Sequence, residues 1–492
     1  MRPAGAGSAS AQVHETHVGI VLLVGDRAYK VKKPVRTSFC DFSTSALRRV
    51  AIERELRLNR RLAPDVYLGT ARLDGAGCAE PVLVMRRMPD DRRLSRLVSD
   101  GGDVTDHLRR LARMLAAFHA RSERSASITA DASADALLER WRGNLAGMEA
   151  LRGNALDPGL LDGAGRLAAR FLAGRRPLFA RRAAEGRVVD GHGDLLADDV
   201  FCLDDGPRAL DCLDFDDSLR HVDGLDDAAF LAMDLERLGA DAAARYFLHA
   251  YAGFAADPAP DTLVHHYVAY RAGVRATVAA VRHLQQPDVG ADADAARLLT
   301  LTMAHLRAGA PRLVLVGGLP GTGKSTLAAG LADRTGAVLV SSDRVRKELA
   351  GMAPSTSAAA PFGSGLYAQE HTGATYRELL TRAAALLSLG ESVVLDASWT
   401  CARRRTEAAA VADDRAAELV QVRCVAPSDV AAARIRARHG SASDATPAVA
   451  AQMAATVDAW PDALEVDTTA PAARCVDMAR EAWDAATDGL PR

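Results

Sequence analysis

The sequence predicts two domains: an α+β domain over residues 14–307, with a small β lobe and a helical lobe, then an α/β domain with a parallel sheet over residues 312–492. Three observations lead there. Residues 17–33, HVGIVLLVGDRAYKVKK, have the pattern of an apolar hairpin, and a long helical pattern follows them. From Leu225 to Ala308 the spacing of apolar residues is helical. Residues 312–327, RLVLVGGLPGTGKSTL, pass from a buried strand through a glycine loop into the start of a helix. Residues 308–311 are the expected linker, and residues 1–13 a disordered tail.

Composition narrows the class. The 492 residues are 49% hydrophobic and 25% charged, ordinary values for a soluble globular protein. A net charge of −2 gives no global electrostatic case for a nucleic-acid or membrane partner. Seven cysteines, at positions 40, 78, 202, 212, 401, 424 and 475, form no C-x-x-C pair, which argues against a zinc site and for a reducing, cytoplasmic setting. No apolar stretch reaches the roughly 18 residues needed to span a bilayer, and MRPAGAGSASAQ has no apolar signal core.

In the first domain, Val18–Val24 and Arg27–Lys33 read as two strands around a Gly25-Asp26 turn, ended by Pro34. Ala28, Lys30 and Lys32 share one face by period two, which read alone is equally a solvent face. Residues 44–62 form a helix that carries Glu55, and residues 81–89 a strand running into a linker. A helix over residues 108–120 ends in LAAFHA. Then come Val188-Val-Asp-Gly-His192-Gly-Asp194-Leu195 and Ala209-Leu-Asp211-Cys-Leu-Asp214-Phe-Asp-Asp217. Asp204-Asp205-Gly206-Pro207, between them, is a plain turn signal.

The His-Gly-Asp-Leu run, the strand ending in aspartate, the LAAFHA helix and the Asp223…Asp227 spacing resemble the aminoglycoside phosphotransferase family, relatives of the protein kinases. The similarity covers about residues 14–305. It implies a protein-kinase-like fold using ATP and Mg²⁺. Asp194 would be the catalytic aspartate that accepts the substrate hydroxyl proton, and His192 would brace its loop. Asp211 would hold metal, with Asp214 as the alternative register. Lys30 would meet phosphate, with Lys32 as the alternative, and Glu55 would orient that lysine. Three departures stand out. Leu196 replaces the family's second histidine, and Asp199 replaces its asparagine. Only Gly19 and Gly25 remain near the expected glycine-rich loop. An aspartate still suits Mg²⁺ but adds negative charge beside Asp211.

The second domain opens on Gly318-Leu-Pro-Gly321-Thr322-Gly323-Lys324-Ser325-Thr326, a complete phosphate-binding loop. Lys324 would reach the β/γ-phosphates and Ser325 would ligate Mg²⁺, with Thr322 and Thr326 completing the cradle. A strand over residues 337–343 ends at Asp343, with Arg346 three residues on; Asp343 reads as an acceptor-facing group or a helix cap. The strand Ser392–Asp396 ends in the pattern that holds Mg²⁺. Arg403, Arg404 and Arg405 open a helix that could face a substrate anion, and Arg434 and Arg438 share a helix face. Residues 351–368 are rich in Gly, Pro and Ser, the composition of a mobile substrate-side loop. Residues 312–490 resemble the small P-loop kinases of the gluconate-kinase, polynucleotide-kinase and zeta-toxin type. This implies a P-loop NTPase α/β fold, Lys324 and Asp343 as catalytic residues, and Arg434 and Arg438 as lid arginines on the nucleotide.

The function expected is ATP-dependent phosphoryl transfer to a hydroxyl of a small-molecule acceptor. Mg-ATP is expected at the P-loop, and also in the N-terminal domain. Two alternatives stand beside it: a nucleotide-binding switch or scaffold with a degenerate N-terminal domain, and a 5′-hydroxyl nucleic-acid kinase, against which the lack of basic excess argues.

Overall fold

A computed structural model describes residues 11–15, 18–36, 40–75, 78–285, 290–353, 356, 363–437 and 445–487. The chain divides into two compact units. The first comprises residues 1–137, 182–259 and 270–275; the second comprises 138–181, 260–269 and 276–492.

The first unit begins with five strands: β1 (Gln12–Glu15), β2 (Gly19–Val24), β3 (Arg27–Lys32), β4 (Tyr67–Gly75) and β5 (Cys78–Arg86). They form one antiparallel sheet in the order β1-β2-β3-β5-β4. The β2–β3 hairpin turns at Gly25, whose φ of 58° suits a residue without Cβ. β1 extends the sheet into the end of the segment expected as tail. All four of its residues are exposed, so no alternation of burial marked it as a strand.

The helix Ser45–Asn59 is capped by Thr44, whose side chain accepts from the Leu47 N–H. It buries Ile52 in a core with Ala28, Ala63, Val66, Tyr67, Leu83 and Met85, and Glu55 lies on its buried side. After short strands β6 (Val188–Asp190), β7 (Val200–Leu203), β8 (Gly206–Ala209) and β9 (His221–Asp223), the helix Gly224–Arg237 runs through the interior. It is buried from Gly224 to Leu235, with Asp226, Asp227 and Asp234 among apolar neighbours. Three buried carboxylates on an interior helix require partners. Asp227 and Asp234 find them in loop N–H groups, of His192, Gly193 and Ala197, and Asp226 finds Arg271 on the helix Asp261–Gln285.

The second unit is built on a five-stranded parallel sheet of β10 (Arg312–Gly317), β11 (Val338–Ser341), β12 (Val393–Asp396), β13 (Glu418–Val425) and β14 (Leu464–Asp467). The order is β11-β12-β10-β13-β14. β10 is therefore the central strand, and successive residues feed opposite cores. Leu313 and Leu315 pack with Tyr376, Leu379 and Trp399, while Val314 and Val316 pack with Leu327, Leu331 and Val422. The chain first winds to one side of β10 and then to the other. The crevice at the carboxyl end of β10 is thus a topological switch point.

Residues 308–311, expected to link two domains, run inside this second unit, as do the helices Pro158–Gly174 and Ala291–Ala308, which pack on each other. Arg170 pairs with Glu418 at 3.2 Å, and Thr262 Oγ1 donates to the Gly390 carbonyl at 2.5 Å. Arg312 fastens the connecting segment. Its buried guanidinium donates to the carbonyls of Trp483 (2.8 Å), Ala310 (2.7 Å) and Arg307 (3.1 Å) and lies over the Trp483 ring. Burial pushes its pKa down to about 10, with Asp484 and Glu418 partly opposing. Arg312→Ala is expected to destabilise the protein by about 2–4 kcal/mol, because it strands buried carbonyls and removes packing on Trp483. Urea unfolding followed by tryptophan fluorescence reads this directly.

Candidate functional site

In the first unit, strand periodicity places Lys30 and Lys32 on the face of β3 that meets Glu55. Lys30 Nζ is 2.7 Å from Glu55 Oε1 and 3.0 Å from Asp211 Oδ1. Lys32 Nζ is 2.7 Å from Glu55 Oε2 and 2.9 Å from Asp214 Oδ2. Glu55 thus bridges both lysines, and the two lysines take the two candidate aspartates one each. Neither lysine is a solvent-face residue: Lys32 is buried, and the Lys30 side chain is only 15% exposed. Burial alone would raise the Glu55 pKa, but Lys30 and Lys32 hold it below the usual range. For Lys30 burial acts downward, and Asp211 and Glu55 overcome it to raise its pKa. Lys30 also lowers the Asp211 pKa, although the Asp211 side chain is 57% exposed and its attraction is screened. Asp214 is half-enclosed, and burial raises its pKa despite Lys32.

Asp211 adopts a left-handed backbone, φ 61°. That conformation is costly for a non-glycine residue and must be held by its surroundings. Its N–H donates to the Tyr67 hydroxyl at 3.1 Å, and the Cys212 N–H donates to Asn59 Oδ1 at 2.8 Å.

The His192-Gly193-Asp194 loop is held from below. Asp227 Oδ2 accepts from the His192 N–H (2.7 Å), and Oδ1 from the Gly193 N–H (2.8 Å). His119 Nε2 lies 2.9 Å from the same Asp227 Oδ2. His192 Nε2 is 3.0 Å from the Leu210 carbonyl, tying this loop to the residue before Asp211. Arg271 forms a two-point pair with Asp226 and donates to the Gly193 carbonyl. Asp194 therefore projects from a loop whose backbone is fixed on both sides. Its pKa is pushed up to about 6 by burial, with Arg275 drawing it down and Asp211 adding to the rise. The Asp199 carboxyl is raised well above the usual range by burial, then by Asp211 and Asp194. Asp194, Asp199 and Asp211 thus sit close enough to feel one another's charge. Among the described residues, however, no group of three or more acidic, histidine or cysteine side chains is gathered closely enough to hold a metal ion.

In the second unit, β10 delivers the glycine loop to the switch point. Gly318 has φ 139°, and a Cβ there would lie 2.5 Å from the Cys424 carbonyl oxygen. Gly321 has φ 80°, and its Cβ would lie 2.4 Å from the Ala431 carbonyl oxygen. Both positions need glycine for conformation and for space. Gly323 caps the helix Lys324–Thr335, so free N–H groups and the helix dipole face the loop's interior. The Thr322 hydroxyl donates to the Leu319 carbonyl at 2.8 Å, and the Thr468 hydroxyl to the Thr322 carbonyl at 2.8 Å. Arg434 donates to the Thr468 hydroxyl (3.0 Å) and carbonyl (2.8 Å). Arg438 lies outside the described residues, as does part of the 351–368 loop.

Two cavities meet here. One, of about 480 Å³, is lined by Lys324, Ser325, Thr326, Arg434 and Thr468. The other, of about 340 Å³, is lined by Arg346, Tyr376, Ser398, Thr400 and Arg404. Lys324 and Asp343 line both. Asp343 accepts from Arg346 at 2.8 Å. Asp396 stands beside Val316 in the β10–β12 register and is buried. Burial raises its pKa, and Lys324 and a bond from Ser325 oppose this. Its Oδ1 is buried without a hydrogen-bond partner among the described residues. A divalent cation shared with Ser325 would satisfy that oxygen, so the donors present fit Mg²⁺.

The residues that sequence reasoning missed are mostly supports. Asn59, Tyr67 and Asp226 bind backbone or another charge from far along the chain, and no local pattern marks them. His119 and Asp227 had signals, in the LAAFHA helix and in the spacing from Asp223.

A family model described as an AAA domain matches residues 313–460. Solved structures that match part of the chain include a sugar kinase from Janibacter sp. HTCC2649, at 22% identity over 37% of this chain and 99% of that chain, TM-score 0.29. Another is a choline/ethanolamine kinase family protein from Mesorhizobium loti, at 15% identity over 61% and 93%, TM-score 0.40. By its own elements, the first unit combines a five-stranded antiparallel sheet with helices, and the second places the glycine loop at the end of the central strand of a five-stranded parallel sheet.

The raised pKa of Asp194 has a stability signature. An aspartate raised in the folded state is destabilising only when ionised, so its cost is absent below roughly pH 4 and complete above about pH 6. Asp194→Asn is expected to stabilise the protein by about 2 kcal/mol at pH 8 and to have no effect near about pH 3.5, read from denaturation midpoints across pH.

The Mycobacterium tuberculosis (strain H37Rv) protein described as "Uncharacterized protein Rv2004c" is 45% identical over 477 residues, 96% of this chain and 95% of that protein. The Mycobacterium bovis protein "Uncharacterized protein Mb2027c" matches over the same shares at 45%. At this identity and coverage, the chain belongs to the family of these mycobacterial proteins.

Proposed function

We propose that the protein is an ATP-dependent phosphotransferase whose P-loop site passes the γ-phosphoryl group of Mg-ATP to a hydroxyl of a small molecule. One observation carries this reading: Lys324 and Asp343 stand where two cavities meet, one floored by the phosphate loop and the other lined by polar side chains. A transferring phosphoryl group needs a nucleotide on one side and an acceptor in line on the other. Lys324, with the N–H groups of the loop, would neutralise the phosphate oxygens. Asp343 would orient the acceptor hydroxyl and take its proton. Ser325 and Asp396 would hold Mg²⁺, which supplies further charge neutralisation on the phosphates. Arg434, anchored on Thr468, would close the nucleotide side.

The first unit supports a second nucleotide site on the same terms. Lys30, oriented by Glu55, would meet phosphate. Asp211 and Asp199 would hold metal, and Asp194 would receive the acceptor proton. A nucleotide-binding scaffold is the reading that competes for this unit, because Asp199 adds a carboxylate where the resembling family has an amide.

Measured on the full chain, Lys324→Ala is expected to lower phosphoryl transfer at the P-loop by about 10²–10³-fold. Asp343→Asn should lower transfer by at least about 10²-fold while leaving ATP affinity unchanged. Transfer unaffected by Lys324→Ala but lost in Asp194→Asn would move the activity to the first unit. Stimulation by 5′-hydroxyl oligonucleotides would favour the nucleic-acid kinase reading.

A further inference from the structure

We propose that the two lysines on Glu55 divide the work of the first unit's nucleotide site: Lys30 turns to the phosphates, and Lys32 is a fixed counter-ion that compensates Glu55 while Lys30 does so. The proposal rests on the reading of the first unit as a nucleotide site and adds a positioning residue to it.

The two lysines have matching partners and different surroundings. Each ammonium stands 2.7 Å from one oxygen of Glu55, and each holds one aspartate, Lys30 with Asp211 at 3.0 Å and Lys32 with Asp214 at 2.9 Å. Lys30 hydrogen-bonds Glu55 Oε1 and Asp211. Lys32 hydrogen-bonds Asp214 and meets Glu55 Oε2 as an ion pair without hydrogen-bond alignment. Glu55 therefore orients Lys30, whereas Lys32 gives Glu55 charge. The Lys30 half opens outward, because its partner Asp211 is more than half exposed. The Lys32 half is closed. Its side chain is 4% exposed, Asp214 is largely enclosed, and the Phe42 ring centroid lies 5.3 Å from the ammonium. A ligand can reach Lys30, while Lys32 is walled in by Glu55, Asp214 and Phe42. β3 pairs with β2 along its whole length, Lys30 opposite Val21 and Lys32 opposite Gly19, and this register fixes which lysine stands on which side.

Glu55 is what makes a second lysine necessary. Its side chain is 1% exposed, on the buried side of the helix Ser45–Asn59. A buried carboxylate whose counter-ion is drawn away is strongly destabilising. In a site with one lysine, that cost would arise each time the ammonium shared its charge with a phosphate, and nucleotide affinity would fall by the same amount. Here an incoming phosphate competes with Asp211 for Lys30, and Asp211 is already exposed enough to be taken up by solvent. Lys32 stays on Glu55 throughout. Its bond to Asp214 also ties β3 to the segment that carries Asp211, so that segment keeps its place when the Lys30–Asp211 contact opens.

The test is titration calorimetry on the full-length protein, with Mg-ATP and adenosine as probes. Lys30→Met should remove the preference for Mg-ATP over adenosine at one site of the chain, which marks that site as the first unit's. Lys32→Met should weaken Mg-ATP at that same site by about 10–100-fold and change adenosine by less than about 3-fold. Lys32→Arg, which keeps the charge, should recover most of the affinity. Adding Glu55→Gln to Lys32→Met should recover about 10-fold, because a neutral side chain needs no counter-ion. A lysine that only tethered Asp214 would gain nothing from Glu55→Gln. Lys32→Gln carries the same comparison if the methionine variant does not fold. Mg-ATP affinity lowered by Lys30→Met and unchanged by Lys32→Met, no recovery on adding Glu55→Gln, or loss of the Mg-ATP preference in Lys32→Met with its retention in Lys30→Met would each overturn the proposal. Mg-ATP binding unaffected by both single substitutions would instead overturn the reading of the first unit as a nucleotide site.

Discussion

The phosphate loop is pressed against backbone on two sides, and the chemistry of the second unit depends on that contact. The carbonyls of Cys424 and Ala431 occupy the space that side chains at Gly318 and Gly321 would need. β13 and the helix Ser428–Arg436 after it thus leave the loop room for glycine alone at these two positions, and β13 is itself paired directly with β10. Sheet order, loop closure and the position of Lys324 are one constraint seen at three scales. The Arg434–Thr468–Thr322 chain of hydrogen bonds extends the same support to the other rim of the cradle.

The first unit solves a different problem, that of gathering acidic groups without losing the fold. Asp194, Asp199, Asp211 and Asp214 are drawn together near Lys30 and Lys32, while Asp226 and Asp227 sit beneath them in the interior. The interior pair is spent on structure: Arg271 neutralises Asp226, and Asp227 receives two backbone N–H groups together with His119. The outer carboxylates are left with incomplete compensation, which is why burial and mutual repulsion raise Asp194 and Asp199. Unequal compensation of neighbouring carboxylates is how a site comes to hold both a proton acceptor and metal donors.

Much of this was legible in the sequence, for identifiable reasons. The glycine loop could be placed because strand, loop and helix follow one another within one short stretch. Glu55 was found because a strand lysine and a helix glutamate recur as a pair. Whether Lys30 or Lys32 was the partner could not be decided, since both lie on one face at period two; the structure shows that Glu55 serves both. Asn59 and Tyr67 were invisible because they act on the backbone of residues about 150 positions away. The phase of the arginine triplet was also hidden, because a helix start does not say which of three consecutive side chains faces inward. Strand β1 escaped notice for the opposite reason, having no buried face to betray it. Residues 138–181 carry no motif, so nothing in their sequence said which of the two units they would join.

That last ambiguity has a practical outcome. The chain passes between the two compact units after residues 137, 181, 259, 269 and 275, whereas the glycine loop begins only at 318. A cut just upstream of the P-loop would therefore not separate the two units. It would remove the helices from earlier in the chain that belong with the parallel sheet, along with the carbonyls that Arg312 holds. The two compact units are interleaved along one polypeptide, so no single break in the chain separates one from the other.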